Sequence, residues 1–392
     1  MTEDHIPYWM AFAHSKHFSN RRKMQFLIEV VHNRTSISEA LKQIKNGNKL
    51  NFHFSEKEWA GISQEVNELP NYSFISEKLM SQGIECIHVM DKSVFPSSLK
   101  SNLKRDAPII IYAKGNLNLL RKPSIAIVGA RKSGPAALDF TDTIAKESVK
   151  QGKVIVSGFA KGVDKKALDS ALKYNGQSIV VLPQGIETYT SKAYYKQIID
   201  GDVLVMSTYH PKAPWSVGLA MDRNKTIYGL AEEIYAAESN NSGGTWEGVL
   251  NGLKRGRTVF VRVPFAGERN ANMELIRRGA TGVDMNGEVV HNTSESILQE
   301  SPSDYKGTNN EISSGTKQSE IVDQVKVLLE KTSGKGLTTY DIAQELKLDE
   351  KTKKQLSTIL NKSNDLIKEK KGKFNFYHLK SQIPTTGKLF SE

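Results

Sequence analysis

Ile125–Gly134 reads IAIVGARKSG, and Val154–Asp164 reads VIVSGFAKGVD. In each, a short apolar run ends in a glycine, Gly129 or Gly158, and a second glycine, Gly134 or Gly162, stands where a helical pattern begins. That pattern predicts a parallel strand turning into a helix. Free N–H groups and the positive end of the helix meet at such a turn and make an anion site. A glycine there lets the backbone approach a phosphate closely. Arg131, Lys132 and Lys161 supply charge-assisted donors, and Asp164 is placed to bind local N–H groups. Taken singly, each turn also reads as a plain glycine turn with solvated Arg and Lys. Two of them in one sheet converge on its carboxyl edge, where open α/β sheets bind ligands. Neither is GxGxxG, and GxxxxGK[ST] occurs nowhere, which disfavours a dinucleotide dehydrogenase or a P-loop NTPase.

Outward from these turns, strands are expected at Ser124–Val128, Val154–Ser157, Ser178–Leu182, Val203–Ser207, Glu233–Ala237 and Thr258–Val263, with Ile84–Met90 and Ile109–Tyr112 before them. Helical stretches such as Ala136–Gln151 and Lys165–Tyr174 lie between. The alternation implies βαβ units and a mostly parallel sheet covered on both faces. A third motif follows the fourth of the central strands. Arg223, Asn224 and Lys225 set a guanidinium, an amide and an ammonium side by side, and Ser242–Gly243–Gly244–Thr245 stands between a strand and a helix. Hydroxyls and glycines at a helix start suit phosphate oxygens, although a surface turn and a simple N-cap explain the same residues. Phe159, Tyr209 and Trp215 are near enough in sequence to stack on bases, although such residues are more often core than platform.

Residues 1–80 read as helical, with Met24–Val31, Ile37–Ile44 and Trp59–Leu69 carrying apolar residues three and four apart. Ser36 or Ser38 is the expected N-cap of the second, and Arg21–Lys23 adds local positive charge. Residues 301–319 have the composition of a flexible linker. Beyond them Glu320–Lys331, Thr339–Leu346 and Lys351–Asn361 look helical. Leu366–Lys370, the turn Lys370–Lys373 and FNFYHL then suggest the hairpin of a winged helix over 320–380. Lys317–Lys380 holds 14 Lys and 9 acidic residues, so this module is a candidate for nucleic acid or for a docked protein.

The ordered set GAR, SGFAKGVD, RNKTIYGL, SGGT, GRTVFV with Pro264, and LIRRGA resembles the DprA/Smf family of DNA-processing proteins. FPSSL (Phe95–Leu99), Pro108 and IYAKGN (Ile111–Asn116) extend the likeness, which covers about residues 83–290. The resemblance implies an α/β fold: an extended Rossmann-like, doubly wound core over 83–298, a helical N-terminal domain of sterile-alpha-motif type over 1–80, and a C-terminal winged helix. It implies single-stranded DNA binding with no nucleotide cofactor and no catalysis; separately, the nine His are scattered, with His14 and His17 the one close pair and no carboxylate cluster beside them, so no metal site is expected. It further implies homodimers and loading of the RecA recombinase in recombination or natural transformation. Residue by residue, Gly129, Arg131, Ser157, Gly158, Lys161 and Gly162 match the family's DNA-pocket motifs, Arg223 and Asn224 its RN element, and Ser242 and Gly243 its SG turn. With them go Lys132, Phe159, Lys225, Gly244 and Thr245 as neighbours in the same turns. Leu168 stands where relatives usually carry His, Thr208 where they carry Glu, and LPQG (Leu182–Gly185) where they carry an LGTG-like turn. The Asn of the usual N-x-L-I-x-x-G-A is displaced or lost around Asn272–Met273. The chain reads as a divergent branch.

Composition agrees. The 392 residues include 54 Lys+Arg and 43 Asp+Glu, a net charge of +11, which favours a polyanionic partner. Apolar residues make up 38%, no apolar run approaches the ~20 residues of a membrane span, and the N-terminus MTEDHIPYWM is no signal peptide. A single cysteine, Cys86, excludes an internal disulfide. The expectation is a cytoplasmic protein with no membrane partner. Two other readings stay open. SGGTWEG (Ser242–Gly248), with Glu247 as carboxylate, partly echoes a nucleotide phosphoribohydrolase loop. A divergent DNA sensor acting on a neighbouring-gene partner protein in mobile-element or phage defence would use the same DNA groove.

Overall fold

The computed structural model describes residues 6–189, 194–290 and most of 322–379. Met1–Ser303 and Asp304–Glu392 form two compact units. The first begins with five helices: α1 (Ile6–His14), α2 (Asn20–His32), α3 (Ile37–Lys45), α4 (Glu56–Asn67) and α5 (Leu69–Ser81). Ser36 caps α3 by accepting the Glu39 N–H at 3.1 Å, and Ser55 and Glu58 form a reciprocal capping box on α4. Two of these helices, α1 and α5, are absent from the periodicity reading. Trp9, Met10, Ala11 and Phe12 of α1 are all buried, so no polar stripe marks the helix.

A nine-stranded sheet follows: β1 (Glu85–His88), β2 (Ile110–Lys114), β3 (Ser124–Val128), β4 (Val154–Ser157), β5 (Ser178–Val181), β6 (Val203–Ser207), β7 (Glu233–Ala236), β8 (Thr258–Arg262) and β9 (Thr281–Val283). The intervening helices are α6 (Ser97–Leu103), α7 (Pro135–Lys150), α8 (Val163–Lys173), α9 (Tyr195–Asp200), α10 (Val217–Asp222), α11 (Asn224–Leu230), α12 (Gly244–Lys254) and α13 (Asn272–Arg277). The spatial order is β1-β2-β6-β5-β4-β3-β7-β8-β9. From β6 to β9 every pair is parallel, while β2 runs antiparallel to β6 and β1 to β2. The chain winds outward from β3 to β6, then returns to lay β7 on the other side of β3. The β3–β7 junction is therefore the topological switch point, where a doubly wound sheet opens a crevice. Strand β9, only three residues long, is too short for a periodicity signal.

The period of two along β3 supplies two cores. Ile125 and Ile127 pack with Phe140, Ile144 and Val163 under α7 and α8. Ala126 and Val128 face the opposite core, which runs continuously through the sheet into the N-terminal helices and includes Trp9, Phe12, Phe26 and Leu41. The helical layer is fastened to the sheet by His14 Nε2, 2.8 Å from Tyr112 Oη, and by the Trp9 ring stacked on His88 at 4.3 Å. Among the described residues no helix is long and apolar enough to cross a membrane.

The second unit carries β10 (Leu337–Thr338), α14 (Thr339–Glu345), β11 (Leu366–Lys371) and β12 (Phe374–Leu379) in a three-stranded antiparallel sheet ordered β10-β12-β11. Thr338 and Asp341 cap α14 reciprocally. Val325, Leu329, Ile342, Leu356 and Tyr377 fill its core. The linker expected at 301–319 lies outside the described residues.

Lys23 is not the surface cation that its basic segment suggests. It is 3% exposed and donates to the Ala13 carbonyl at 2.5 Å. Burial pulls its pKa down to about 7, opposed by Glu65. Between that value and the ordinary lysine pKa the unfolded chain holds a proton that the folded chain does not, so stability rises with pH across this window. Stability should rise from pH 7 to 9.5 by up to about 1 kcal/mol per pH unit. Lys23→Met should be more stable than the parent at pH 7 and lose that rise, as read by denaturant unfolding at several pH values.

Candidate functional site

The turns after β3, β4 and β7 meet at the switch point. The β3–β7 ladder continues past both strands: Ala237 N–H donates to Val128 O (3.0 Å) and Ala130 N–H to Glu238 O (2.9 Å). A groove of about 460 Å³ opens above it. Of the expected residues, Gly129, Arg131, Lys132, Arg223, Asn224, Ser242, Gly243, Gly244 and Thr245 line it. Arg131 and Lys132 are exposed. No side chain caps α12, whose N-cap is Gly243 at φ +95°. The first N–H groups of that helix are thus free for a ligand. Asn224 Nδ2 donates to the Gly244 carbonyl at 3.0 Å and ties α11 to this turn.

The glycines serve packing more than phosphate approach. A Cβ on Gly129 would stand 2.5 Å from Val163 Cγ2, and one on Gly158 would stand 2.0 Å from Arg223 Nη1. Gly162 adopts φ +83° with its Cβ position 2.5 Å from the Ala130 carbonyl oxygen. The glycines let α8 and α11 close on the strand ends, which is what brings the three turns together.

Several expected contacts are corrected. Arg223 is 4% exposed and not a solvent-facing fork. Its Nη1 donates to Val181 O at 2.5 Å, its plane covers Gly158, and its Nε has no partner. Beside it Asp164 accepts the backbone N–H groups of Gly158 and Ala160, and burial pushes its carboxyl above the ordinary range against the pull of Arg223 and those bonds. Ser157 is fully buried and donates to Ile127 O at 2.9 Å, so it joins β4 to β3. Lys225 lines a different cleft and pairs with Asp222 at 2.6 Å. Lys161 is exposed at the turn before α8 but does not line the groove. Phe159, at φ +59°, is half-buried with its ring edge against Tyr194 and Tyr189 at 5.2 and 6.1 Å. Tyr209 donates to Leu219 O and Asp222, both at 3.0 Å. Trp215 alone of the three aromatics is free, at 49% exposure. Glu247 is exposed on α12 and outside the groove.

Three features escaped the sequence reading. Val217 and Met221, four residues apart on α10, are 63% and 43% exposed and give the groove an apolar wall. That spacing resembles a buried helix stripe, and only the fold turns it outward. Glu238 Oε2 accepts the Gly134 N–H at 3.1 Å, so a carboxylate already sits before α7. Asn272, read as displaced or lost, is fully buried and bonded to Ser239, Ala237 and Arg262.

A family model described as DNA recombination-mediator protein A matches residues 86–294, more than half of the chain. The chain belongs to that family. The DNA processing protein DprA of Streptococcus pneumoniae (strain ATCC BAA-255 / R6) is 33% identical over 158 residues, covering 40% of this chain and 55% of that protein. The DprA of Bacillus subtilis (strain 168) is 27% identical over 234 residues, 57% of this chain and 76% of that one. An X-ray structure of DprA from Streptococcus pneumoniae shares the fold, with a TM-score of 0.58 at 24% identity over 71% of this chain and 94% of that one. Every groove residue, and Asn272, lies within the stretch matched to the recombination-mediator family.

Gly158→Ala should destabilise the protein by about 1–3 kcal/mol, because neither the guanidinium nor the strand end can yield. Gly218→Ala on α10, with only Ser216 Oγ at 3.9 Å, should be neutral or stabilise by roughly 0.5–1 kcal/mol. Urea titrations of the two variants check the contrast.

Proposed function

We propose that the groove at the β3–β7 switch point binds single-stranded DNA, and that the protein works in DNA processing and recombination without a catalytic step of its own. The observation that carries the reading is the two-sided character of the groove. One side offers the uncapped start of α12, the Ser242 and Thr245 hydroxyls, and Arg131 with Lys132. The other is the exposed apolar edge Val217 and Met221; Trp215, exposed just before α10, stands outside the groove lining but next to that edge in sequence. Phosphates suit the first side, and flat unpaired bases suit the second. A duplex hides its base faces and would waste the apolar wall. A dinucleotide would need its pyrophosphate at the start of α7, where Glu238 already holds the Gly134 N–H and would repel it. The family description points the same way. Handing a coated strand to a recombinase of RecA type, dimerisation, and a second binding surface on the basic C-terminal unit belong to the same proposal.

Binding of a fluorescent oligodeoxythymidine at two salt concentrations tests it. Arg131→Ala with Lys132→Ala should weaken binding and flatten the dependence of log affinity on log salt by roughly 0.7 for each phosphate no longer neutralised. Trp215→Ala with Met221→Ala should weaken it by about 1–3 kcal/mol per stacked base and leave the salt slope unchanged. Affinity and slope both unchanged in the first variant would sink the reading.

A further inference from the structure

The groove wall at Asn240–Thr245 hangs on a buried polar knot. Arg262, at the carboxyl end of β8, is fully buried, yet its guanidinium reaches both oxygens of Glu268, at 3.1 Å from Nη1 and 2.5 Å from Nη2. Its Nε donates to Ala237 O at 3.1 Å. Asn272, the first residue of α13 and equally buried, donates through Nδ2 to Ala237 O (3.1 Å) and Arg262 O (2.8 Å). Its Oδ1 accepts the Ser239 N–H at 2.9 Å, and the neighbouring Ala271 N–H donates to Ser239 O at 2.7 Å. Ser239, itself fully buried, thus gives both backbone groups to Ala271 and Asn272 one residue before the chain enters the groove. The β7–β8 ladder is already complete at Ala236 and Val261, so the knot adds nothing to strand pairing. What it fixes is the direction in which the chain leaves β7.

We propose that Asn272 is a positioning residue for the groove: by holding Ser239 it aims the free N–H groups at the start of α12 at the ligand. This rests on the single-strand reading of the groove. Truncating the amide removes the acceptor of the Ser239 N–H and the side-chain donor to the Arg262 carbonyl, leaves Ala237 O with Arg262 Nε alone, and lets the turn exchange the lost bonds for water. The body of α12 stays packed through Trp246 and Val249.

Hydrogen–deuterium exchange on the full chain, with and without oligodeoxythymidine, tests the proposal. In Asn272→Ala the amides of residues 239–246 should exchange about tenfold faster or more, while those of β3, β4 and β5 keep their protection. Oligonucleotide should protect residues 129–132 in both proteins but residues 242–245 only in the parent, with affinity down about tenfold in the variant. A merely structural role would quicken exchange throughout the sheet and leave the pattern of protection unchanged. Unchanged exchange at 239–246, or faster exchange there with protection and affinity retained, overturns the proposal. If the oligonucleotide protects neither turn of the parent, the DNA reading fails, and the proposal that rests on it falls too. That outcome is distinct from failure of the knot, which the ligand-free exchange reports separately. Should Asn272→Ala not fold, Glu268→Gln, at the partly exposed end of the knot, should give the same pattern more weakly, and its absence there counts equally against the proposal.

Discussion

The pairing of β3 with β7 is the contact on which the site depends. It joins the two halves of the sheet where the winding reverses, and its last two hydrogen bonds, Ala237 to Val128 and Ala130 to Glu238, hold three turns within reach of one ligand. Everything nearby is shaped to let those turns close. Gly129 and Gly158 give up side chains to Val163 and Arg223, and Gly162 takes a left-handed backbone so that α8 can start beside the Ala130 carbonyl. Arg223 and Asp164 are both buried at the floor of the groove, Arg223 on the Val181 carbonyl and Asp164 on the Gly158 and Ala160 N–H groups.

Much of the central fold was legible because its strands are short and mostly apolar, and two of them, Ser124–Val128 and Val154–Ser157, run straight into a glycine. Ser124–Val128, Val154–Ser157 and Val203–Ser207 lie where their composition puts them. The helix α1 was not legible, because burial on all sides removes the polar stripe that periodicity needs. At the site, the glycine turns were legible and the roles of several side chains were not. Arg223 looks in sequence like a phosphate fork, yet α11 carries it under the sheet edge. Lys225, two residues on, faces another cleft and meets Asp222. Asn272 matched its family pattern poorly by spacing, and only the fold shows its amide tied to Ser239, Ala237 and Arg262. Val217 and Met221 carry a spacing that normally means core.

Charge also sorts differently from the sequence total. Of the basic residues in the turn motifs, Arg131 and Lys132 line the groove with exposed side chains, Arg223 lines it but is buried and bonded to the Val181 carbonyl, Lys161 stands outside it, and Lys225 pairs with Asp222. The groove is therefore only modestly cationic. On the proposed reading, its selectivity would come from N–H donors and an apolar edge in one groove, and from Glu238, which holds the Gly134 N–H before α7.

The most direct test of that two-sided groove compares three ligands of equal length on the full chain: oligodeoxythymidine, the same phosphodiester chain with abasic sites, and a blunt duplex. With salt held at about 100 mM, the oligodeoxythymidine should bind at least roughly tenfold more tightly than the abasic strand and more tightly than the duplex. Equal affinity for the oligodeoxythymidine and the abasic strand would show that the apolar wall plays no part, and would contradict the account.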